Sequence, residues 1–370
     1  MRILFDTRSV SAKTPGTELY CRNLLESFLP LLRDDEEIVI VAPYTVRSEA
    51  IEKDRHCRVI RATYPHNSIR GYFEIGRLAA EINPDIFWTP TPLTTMRIPT
   101  NRLLTLQDYH PLLQHNWGTY LQRFIWRLLA GYHIRKAHKI ICATSSIKEA
   151  CIARFGRQLE RTITTIYNGV GTNYCPQPEE KIDSLRRKYS LPQKFLLFLG
   201  NGKPHKNLST ILQTLSGMDA TSCLPLVVAG YNSIRREYKE EVERLKLDYR
   251  VRFIGAVSEE ELPVLYSAAH VFVLPSLIEG FCQPLLQAMA CGTPVVCSAI
   301  PSLRELGGDA VLRVHPTDVV EWRKGLTLAI LSSAWQENHR AKSLKQAQRF
   351  SWQTTARETL DVCRSMVFSR

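Results

Sequence analysis

The sequence predicts an α/β protein built from two doubly wound parallel sheets. Short apolar runs rich in β-branched residues alternate with helical patterns along the whole chain, which is typical of parallel sheets wrapped by helices. The alternation restarts once, after a polar connection near the middle. The length of 370 residues also favours two domains, because single cores stop growing near about 250–300 residues.

In the first half, six short apolar segments predict strands. They are RILFD, EIVIVAP, DIFWTP, RLLTLQD, KIICATS and TITTIYNG. Between the first two, the segment GTELYCRNLLESFLPLL repeats leucines and a phenylalanine at helical spacing, so it predicts an amphipathic helix. We expect residues 1–180 to form an N-terminal Rossmann-like domain.

The stretch 170–192 is polar and contains three prolines, which predicts a connection between domains. After it, six more apolar runs predict strands, namely FLLFLG, LPLVVAG, VRFIGAV, HVFVLPS, PVVCSA and AVLRV. We expect residues 190–350 to form a second Rossmann-like domain. A helical pattern over about 351–370 predicts a C-terminal helix that packs back on the first domain.

The composition is that of an ordinary globular protein. It is 44% hydrophobic and 23% charged, with a net charge of +12. No window approaches the about 18 apolar residues of a membrane-spanning helix, and the first ten residues predict a strand rather than a secretory signal. Ten cysteines without a CxxC pair argue against zinc and against a disulfide framework, so we expect a cytoplasmic protein without a bound metal.

The segment EGFCQPLLQAMACG, residues 279–292, follows the predicted strand HVFVLPS. Pro284 suits the first turn of a helix, so Glu279 is expected beside a helix N terminus at a sheet edge. Helix-terminal amides bind phosphate, and a carboxylate accepts hydrogen bonds from sugar hydroxyls. The combination favours a nucleotide sugar, and the alternative is that Glu279 only caps its helix.

A second anion site is predicted by FLLFLGNGKPHKNLSTIL, residues 195–212. A buried strand leads to a turn with Lys203 and His205, and Lys206 opens a helix. A lysine there adds a full charge to the partial charge of the amides, which favours a diphosphate. The segment is not a Walker loop, and the alternative is a solvated basic turn.

Two further loops belong to the predicted first domain. Gly16 lies where the first strand passes into its helix, so that backbone could approach a ligand there. Gln107, Asp108 and His110 follow the strand RLLTLQD. Because ligands bind beyond the carboxyl ends of parallel strands, these side chains could orient a substrate, although an ordinary polar turn would explain them equally well.

The segment VRFIGAVSEEELPVLYSAAHVFVLPSLIEGFCQPLLQAMACGTPVVCSAIPSLREL, residues 251–306, resembles the donor-binding half of glycosyltransferase family 4. Weaker similarity extends through DTRSV, TELYCRNLL, HKIICATSSIKEACIARFG, IYNGV and GKPHKNL. Members of that family are retaining enzymes with the GT-B fold, in which two Rossmann-like doubly wound parallel sheets face a cleft. The resemblance implies transfer from a nucleotide-diphosphate sugar without a metal or other cofactor.

The resemblance also implies roles for individual residues. Glu279 matches the first glutamate of a paired-glutamate motif near the reacting carbon, and Lys206 matches the lysine that neutralises the diphosphate, so both are expected to be catalytic. The donor-binding residues implied are Gly16, Asn201, Lys203, His205, Gly280, Phe281, Cys282 and Gln287. By the same resemblance, residues 190–350 are expected to bind the nucleotide sugar and residues 1–180 to face the acceptor, with Gln107 and Asp108 on the acceptor side.

The sequence departs from the family pattern in three places, one of which involves two residues. Gln287 stands where a second glutamate usually binds the ribose, and it could still accept a hydrogen bond without charge assistance. Lys203 and His205 lie where many members have a phosphate-binding arginine. Gln107 replaces a common histidine beside Asp108, which puts activity in question.

Residues 115–141 mix aromatic side chains with basic ones, and residues 111–148 contain no acid. Such a helix could lie on an anionic membrane surface, which would suit a lipid-linked acceptor and a peripheral position on the inner face of the membrane. The alternative is a domain helix with its aromatics in the core. A nucleic-acid partner is disfavoured, because no recognised nucleic-acid-binding module accompanies the charge.

The sequence therefore predicts a hexosyltransferase that acts on a glycan or lipid-linked acceptor in cell-envelope polysaccharide or lipopolysaccharide synthesis, with mannose favoured. Two alternatives remain open. One is a catalytically weakened member that binds a nucleotide sugar or glycan, and the other is a nucleotide-sugar epimerase on the same fold.

Overall fold

The computed structural model describes residues 1–10, 15–43, 49–66, 68–92, 98, 100–108, 120–200, 202–219, 222–230 and 236–368. The chain divides into two compact units. The first comprises Met1–Gly169 and Ser351–Arg370, and the second comprises Val170–Phe350. The prediction of two parallel-sheet α/β domains is confirmed.

The first unit is built on a seven-stranded sheet in the order β3-β2-β1-β4-β5-β6-β7, and neighbouring strands are parallel. The strands are β1 (Arg2–Asp6), β2 (Glu37–Ala42), β3 (Cys57–Arg61), β4 (Ile86–Thr89), β5 (Asn101–Leu106), β6 (Lys139–Cys142) and β7 (Ile163–Thr165). The described helices are α1 (Pro15–Phe28), α2 (Glu49–Glu52), α3 (Ile69–Ile82), α4 (Tyr120–Lys136), α5 (Ser145–Phe155) and the C-terminal helix, α14 (Trp352–Phe368).

Helices cover both faces of this sheet, which is why its central strands are continuous apolar runs. Along β1, Ile3 and Phe5 pack into one buried cluster with residues of α1 and α14. Leu4 points to the opposite face, where it joins a second cluster with Ile75 and Ala79 of α3.

The C-terminal helix α14 packs against α1 and so belongs to the first unit. The ring of Trp352 lies 6.1 Å from that of Tyr20. Near the other end of α14, the Arg364 guanidinium donates to both carboxylate oxygens of Glu36, at 2.9 and 2.7 Å. The last helix therefore belongs to the first unit, although the whole second unit lies between them in the sequence.

The second unit is built on a six-stranded parallel sheet in the order β10-β9-β8-β11-β12-β13. The strands are β8 (Leu196–Leu199), β9 (Leu226–Ala229), β10 (Val251–Gly255), β11 (Val271–Leu274), β12 (Val295–Ser298) and β13 (Val311–Val314). The described helices are α6 (Glu179–Tyr189), α7 (Leu208–Ser216), α8 (Arg236–Arg244), α9 (Leu262–Ala268), α10 (Gln283–Ala290), α11 (Pro301–Gly307), α12 (Val319–Leu331) and α13 (Ser333–Ala347).

The boundary between the units lies at residues 169 and 170, at the start of the predicted connection 170–192 but before the predicted domain limits of 180 and 190. The reason is that α6, expected in a connecting segment, packs against α9 of the second unit. Both Lys188 and Tyr189 bond the Glu261 carboxylate, at 2.6 and 3.0 Å. These contacts tie the stretch after residue 170 to the second unit.

Among the described residues, no helix combines the length and the apolar character that crossing a membrane requires.

Candidate functional site

The carboxyl ends of β8 and β11 meet near the middle of the second sheet. The two strands are hydrogen-bonded neighbours, although β9 and β10 lie between them along the chain. The chain winds outward from β8 through β9 to β10 and then returns to the other side of β8. Such a reversal of strand order opens a crevice at the carboxyl edge, where doubly wound sheets bind ligands.

Lys206 and Glu279 form an ion pair at this edge. Lys206 ends the short 3-10 turn Pro204–Lys206 that follows β8, and Glu279 lies in the loop that follows β11. The Lys206 Nζ is 2.6 Å from the Glu279 Oε1, and the two side chains expose only 15% and 9% of their surface. The structure therefore brings together the two residues that were expected to be catalytic.

Ser276 supports the carboxylate of Glu279. This fully buried serine follows β11, and its Oγ donates to the Glu279 Oε1 at 2.6 Å. Two donors on one oxygen hold the carboxylate in one orientation. Sequence reasoning missed Ser276, although its position at the end of the strand HVFVLPS was a signal that could have identified it.

Asn207 fastens three strand-end loops together. Its backbone is left-handed, with φ 56° and ψ 41°, a conformation enriched in asparagine. Its Nδ2 donates to the carbonyl oxygens of Pro275 at 3.0 Å and Pro316 at 2.8 Å. The backbone N–H of Leu277 also donates to the His205 carbonyl at 2.8 Å. The loops after β8, β11 and β13 are therefore held in register, and this too was not predicted.

Two glycines let the loops after β8 and β9 approach each other closely. Gly230 follows β9 with φ +94°, and a Cβ there would lie 2.7 Å from the backbone oxygen of Gly200. That distance is shorter than a carbon atom can tolerate, so only glycine fits without displacing the loop that leads to Lys206.

Gly280, Phe281 and Cys282 form the turn that leads into α10. Cys282 is 1% exposed and makes no side-chain hydrogen bond at the helix N terminus, where the first turn also has no acidic residue. Burial raises the pKa of the Cys282 thiol, and the Glu279 carboxylate raises it further. The thiol therefore stays neutral, and the helix start keeps the partial positive charge that attracts phosphate.

Lys203 and His205 lie in the turn that contains Lys206. Lys203 is exposed at the start of the turn, and His205 is half-buried. Both are thus on the same strand-end loop as the ion pair, and their donor-binding role stays a prediction. Asn201 and His110 lie outside the described residues.

Gln287 lies in the second half of α10 and is 5% exposed. The hydroxyl of the buried Tyr266 donates to the Gln287 Oε1 at 3.2 Å, and burial raises the pKa of this phenol well above its usual value. A ribose hydroxyl would therefore share this amide oxygen with a tyrosine. The ribose-binding role stays a prediction.

In the first unit, Gln107 pairs with Asn168 rather than standing alone. The Asn168 Nδ2 donates to the Gln107 Oε1 at 2.6 Å, and the Gln107 Nε2 donates back at 3.4 Å. Asn168 is 2% exposed and belongs to the segment IYNGV after β7. Asp108 is exposed beside this pair, and Gly16 is exposed in the first turn of α1, where an added Cβ would meet nothing within 4 Å.

A buried charge cluster at the end of β1 was not predicted. The Arg8 guanidinium donates to both carboxylate oxygens of Asp6, at 2.8 and 2.9 Å, and to the Gly71 carbonyl at 2.7 Å. Glu74 lies 3.8 Å from the same guanidinium. Because its partners surround it, this arginine fixes the loop after β1 against α3 rather than offering a binding site.

Helix α4 covers most of the basic and aromatic stretch 115–141, of which residues 115–119 lie outside the described residues. Tyr120 and Phe124 are exposed on α4, whereas Ala130 and Ile134 are fully buried. The alternative expectation, with the aromatics in the core, is wrong for these two side chains. The physical reason is that α4 packs against the domain through residues of its second half, whereas these two side chains belong to its first half.

Comparison with known proteins identifies the family. The model of the family described as glycosyl transferases group 1 matches residues 181–349. The O-antigen chain mannosyltransferase B of Escherichia coli is 32% identical over 293 residues, which cover 71% of this chain and 77% of that protein. The chain therefore belongs to the group 1 glycosyltransferases, and the prediction of a glycosyltransferase is confirmed.

Two further comparisons extend this result. The serotype-specific mannosyltransferase WbdA of Escherichia coli is 30% identical over 273 residues, but these cover 70% of this chain and 33% of that much longer protein. The solved structure of Anabaena HepE in complex with UDP and glucose has a TM-score of 0.78 at 20% identity, over 99% of this chain and 100% of that one. That structure has the same fold.

Proposed function

We propose that the chain is a retaining hexosyltransferase that moves mannose from a nucleotide-diphosphate sugar to a glycan or lipid-linked acceptor in cell-envelope polysaccharide synthesis. The observation that carries this proposal is the ion pair of Lys206 and Glu279 at the strand reversal of the second sheet. Mannose is favoured because the two Escherichia coli relatives are named as mannosyltransferases.

Lys206 is proposed to stabilise the leaving diphosphate. Breaking the bond between the anomeric carbon and the phosphate oxygen leaves negative charge on the diphosphate. An ammonium that is 15% exposed and already fixed by Glu279 stabilises that charge without reorganising, which is how preorganised electrostatics accelerate a reaction. The start of α10 adds amide donors to the same end of the sheet.

Glu279 is proposed to hold the sugar. Its Oε1 is occupied by Lys206 and Ser276, so Oε2 accepts from a sugar hydroxyl and the whole carboxylate lies near the carbon that becomes positive. Because Lys206 contacts both the carboxylate and the diphosphate in this arrangement, the ion pair sets the distance between the sugar and the leaving group. Geometry of this kind favours reaction from a fixed pose.

The transfer is proposed to proceed without a metal or other cofactor, since Lys206 and the helix amides supply positive charge at the diphosphate. Retention follows if the leaving phosphate deprotonates an acceptor hydroxyl on the same face of the sugar. We place the reaction in the cytoplasm, and the ten free cysteines support a reducing compartment.

The test is a panel of guanosine, uridine and adenosine diphosphate hexoses, assayed for hydrolysis and for transfer to glycan acceptors. We expect turnover with the mannose donor, and a loss of at least about 10²-fold in kcat for Lys206→Met and for Glu279→Gln. Lys194→Met is the matched control. Lys194 is an exposed lysine that precedes β8, whereas Lys206 follows the same strand.

Three results would contradict the proposal. Donor binding without any turnover would indicate a sugar-binding member of the family. An isomerised donor without an acceptor product would indicate an epimerase. Equal loss of activity in Lys194→Met and Lys206→Met would show that the effect does not come from the ion pair.

A further inference from the structure

Helices α3 and α4 cover the same face of the first sheet. On α3, Ile75 and Ala79 pack with Leu4 and Phe87. The opposite face is covered by α1 and by α14, which contacts β4 and β6. Because parallel crossovers are right-handed and the chain moves in one direction from β3 through β4 and β5 to β6, α4 lies on the same face as α3.

The first halves of both helices carry large apolar side chains in water. On α3, Ile69 and Phe73 are 77% and 68% exposed. On α4, Tyr120, Phe124 and Leu128 are 80%, 52% and 59% exposed, and their spacing of four residues places them on one side of the helix. We call these five residues the apolar patch.

The position of the apolar patch follows from the topology. In a parallel α/β sheet, each helix begins at the carboxyl edge of the strands and runs back toward their amino ends. The five residues of the apolar patch all lie in the first half of their helix or at its midpoint. The apolar patch therefore lies toward the carboxyl edge of the first sheet, the edge that also carries Gln107 after β5.

The surroundings of α4 are basic. Between Asp108 and Glu149 the sequence contains six lysines and arginines and no acid. Of these, Arg127 is half-buried and lies next to Leu128 in the sequence, whereas Arg135 and Lys136 are exposed at the far end of α4. On α3, the exposed Arg70 lies 5.7 Å from the ring of Tyr64. Apolar side chains in a positive surrounding match the interface of an anionic lipid bilayer, which combines negative headgroups with a shallow apolar layer.

We propose that the apolar patch docks the enzyme on an anionic lipid surface, which presents a lipid-linked acceptor to the carboxyl edge of the first sheet. This inference rests on the proposed transferase function and names the surface that brings enzyme and acceptor together. A second copy of the chain fits the patch less well, because a symmetric contact would bring the acid-free helix α4 against an equally basic copy of itself.

The experiment is vesicle flotation of the full chain at low and at physiological salt. Vesicles of phosphatidylglycerol with phosphatidylcholine are compared with vesicles of phosphatidylcholine alone. The test variant is Tyr120→Ser/Phe124→Ser/Leu128→Ser. The control is Leu331→Ser at the end of α12, because Leu331 and Leu128 are both 59% exposed and Leu331 belongs to the second unit.

We expect the wild type and the control to float with the anionic vesicles and not with phosphatidylcholine alone. The triple variant should partition at least about 10-fold less, because three side chains no longer enter the apolar layer. Its melting temperature should match that of the wild type, since all three positions are exposed. Its hydrolysis of donor in solution should be unchanged.

The possible failures are distinguishable. A wild type that hydrolyses donor but does not float, or a triple variant that floats as well as the wild type, overturns the docking inference and leaves the transferase proposal intact. A triple variant that only changes the oligomeric state assigns the patch to a second copy and overturns the inference as well. Flotation without donor turnover supports docking and contradicts the transferase proposal.

Discussion

Asn207 offers the sharpest test of how the strand-end loops of the second sheet are held. Its side chain makes three hydrogen bonds, two donated to Pro275 and Pro316 and one accepted from the Thr210 hydroxyl at 2.9 Å. Its backbone is left-handed, with φ 56°. Glycine at this position removes the three bonds and tolerates the backbone, whereas alanine removes the bonds and also strains the backbone.

The two substitutions separate these contributions. With about 1 kcal/mol for each hydrogen bond, Asn207→Gly should lower the free energy of unfolding by about 3 kcal/mol. Asn207→Ala should lower it by about 4 kcal/mol, because a left-handed alanine costs roughly 1 kcal/mol more. The loss of loop register should also weaken nucleotide binding, since Lys206 and Glu279 lie on two of the loops that Asn207 joins.

The assay is urea unfolding followed by calorimetric titration with nucleoside diphosphate. The matched control is Asn83→Gly, because Asn83 is an exposed asparagine with φ 47° at the end of α3, and it should change stability by less than about 0.5 kcal/mol. If Asn207→Gly is as stable as the wild type and binds the nucleotide equally well, the argument that these bonds hold the loops is refuted.

Three other predictions concern the rest of the chain. Gly230→Ala should lower the free energy of unfolding by about 2 kcal/mol or more in urea unfolding. Gly16→Ala should not, because a Cβ at Gly16 meets nothing within 4 Å. Equal effects of the two substitutions would contradict the close approach of the loops. The Arg364 guanidinium holds the pKa of Glu36 in the folded protein below its ordinary value of 4.5. The pair therefore stabilises the fold fully above pH 4.5, and this stabilisation is lost as the pH falls through the pKa that Glu36 has in the folded protein. Glu36→Gln should flatten the acid slope of stability there, and an unchanged slope would argue against the pair. Gln287→Glu should leave the fold intact and tighten nucleotide binding, and unchanged affinity would count against a ribose at this position.

The sequence predicted the strands best where both faces of a strand are buried. In β2, β8, β9, β11 and β12, apolar runs that are buried on both faces predict the strands directly. The edge strand β3 was missed, because its residues CRVIR are half-exposed and two of the five are charged. Edge strands lack the apolar pattern that burial on both faces imposes.

The charged residues of the candidate site could be predicted from the sequence, whereas the residues that position them could not. Lys206 and Glu279 stand out because a cation and a carboxylate each follow a buried strand. Ser276, Asn207 and Asn168 escaped prediction, because their importance depends on which strand ends are neighbours in the folded sheet. That neighbour relation comes from the strand order, and local patterns do not encode it.

The most direct measurement of the central proposal is calorimetric titration of guanosine, uridine and adenosine diphosphates into the wild type, Lys206→Met and Lys194→Met. We expect the nucleotide that binds best to bind at least about 10-fold more weakly to Lys206→Met, because an ammonium contact to phosphate is lost, and unchanged to Lys194→Met. Equal affinity of all three proteins would show that the diphosphate does not lie against Lys206 and Glu279.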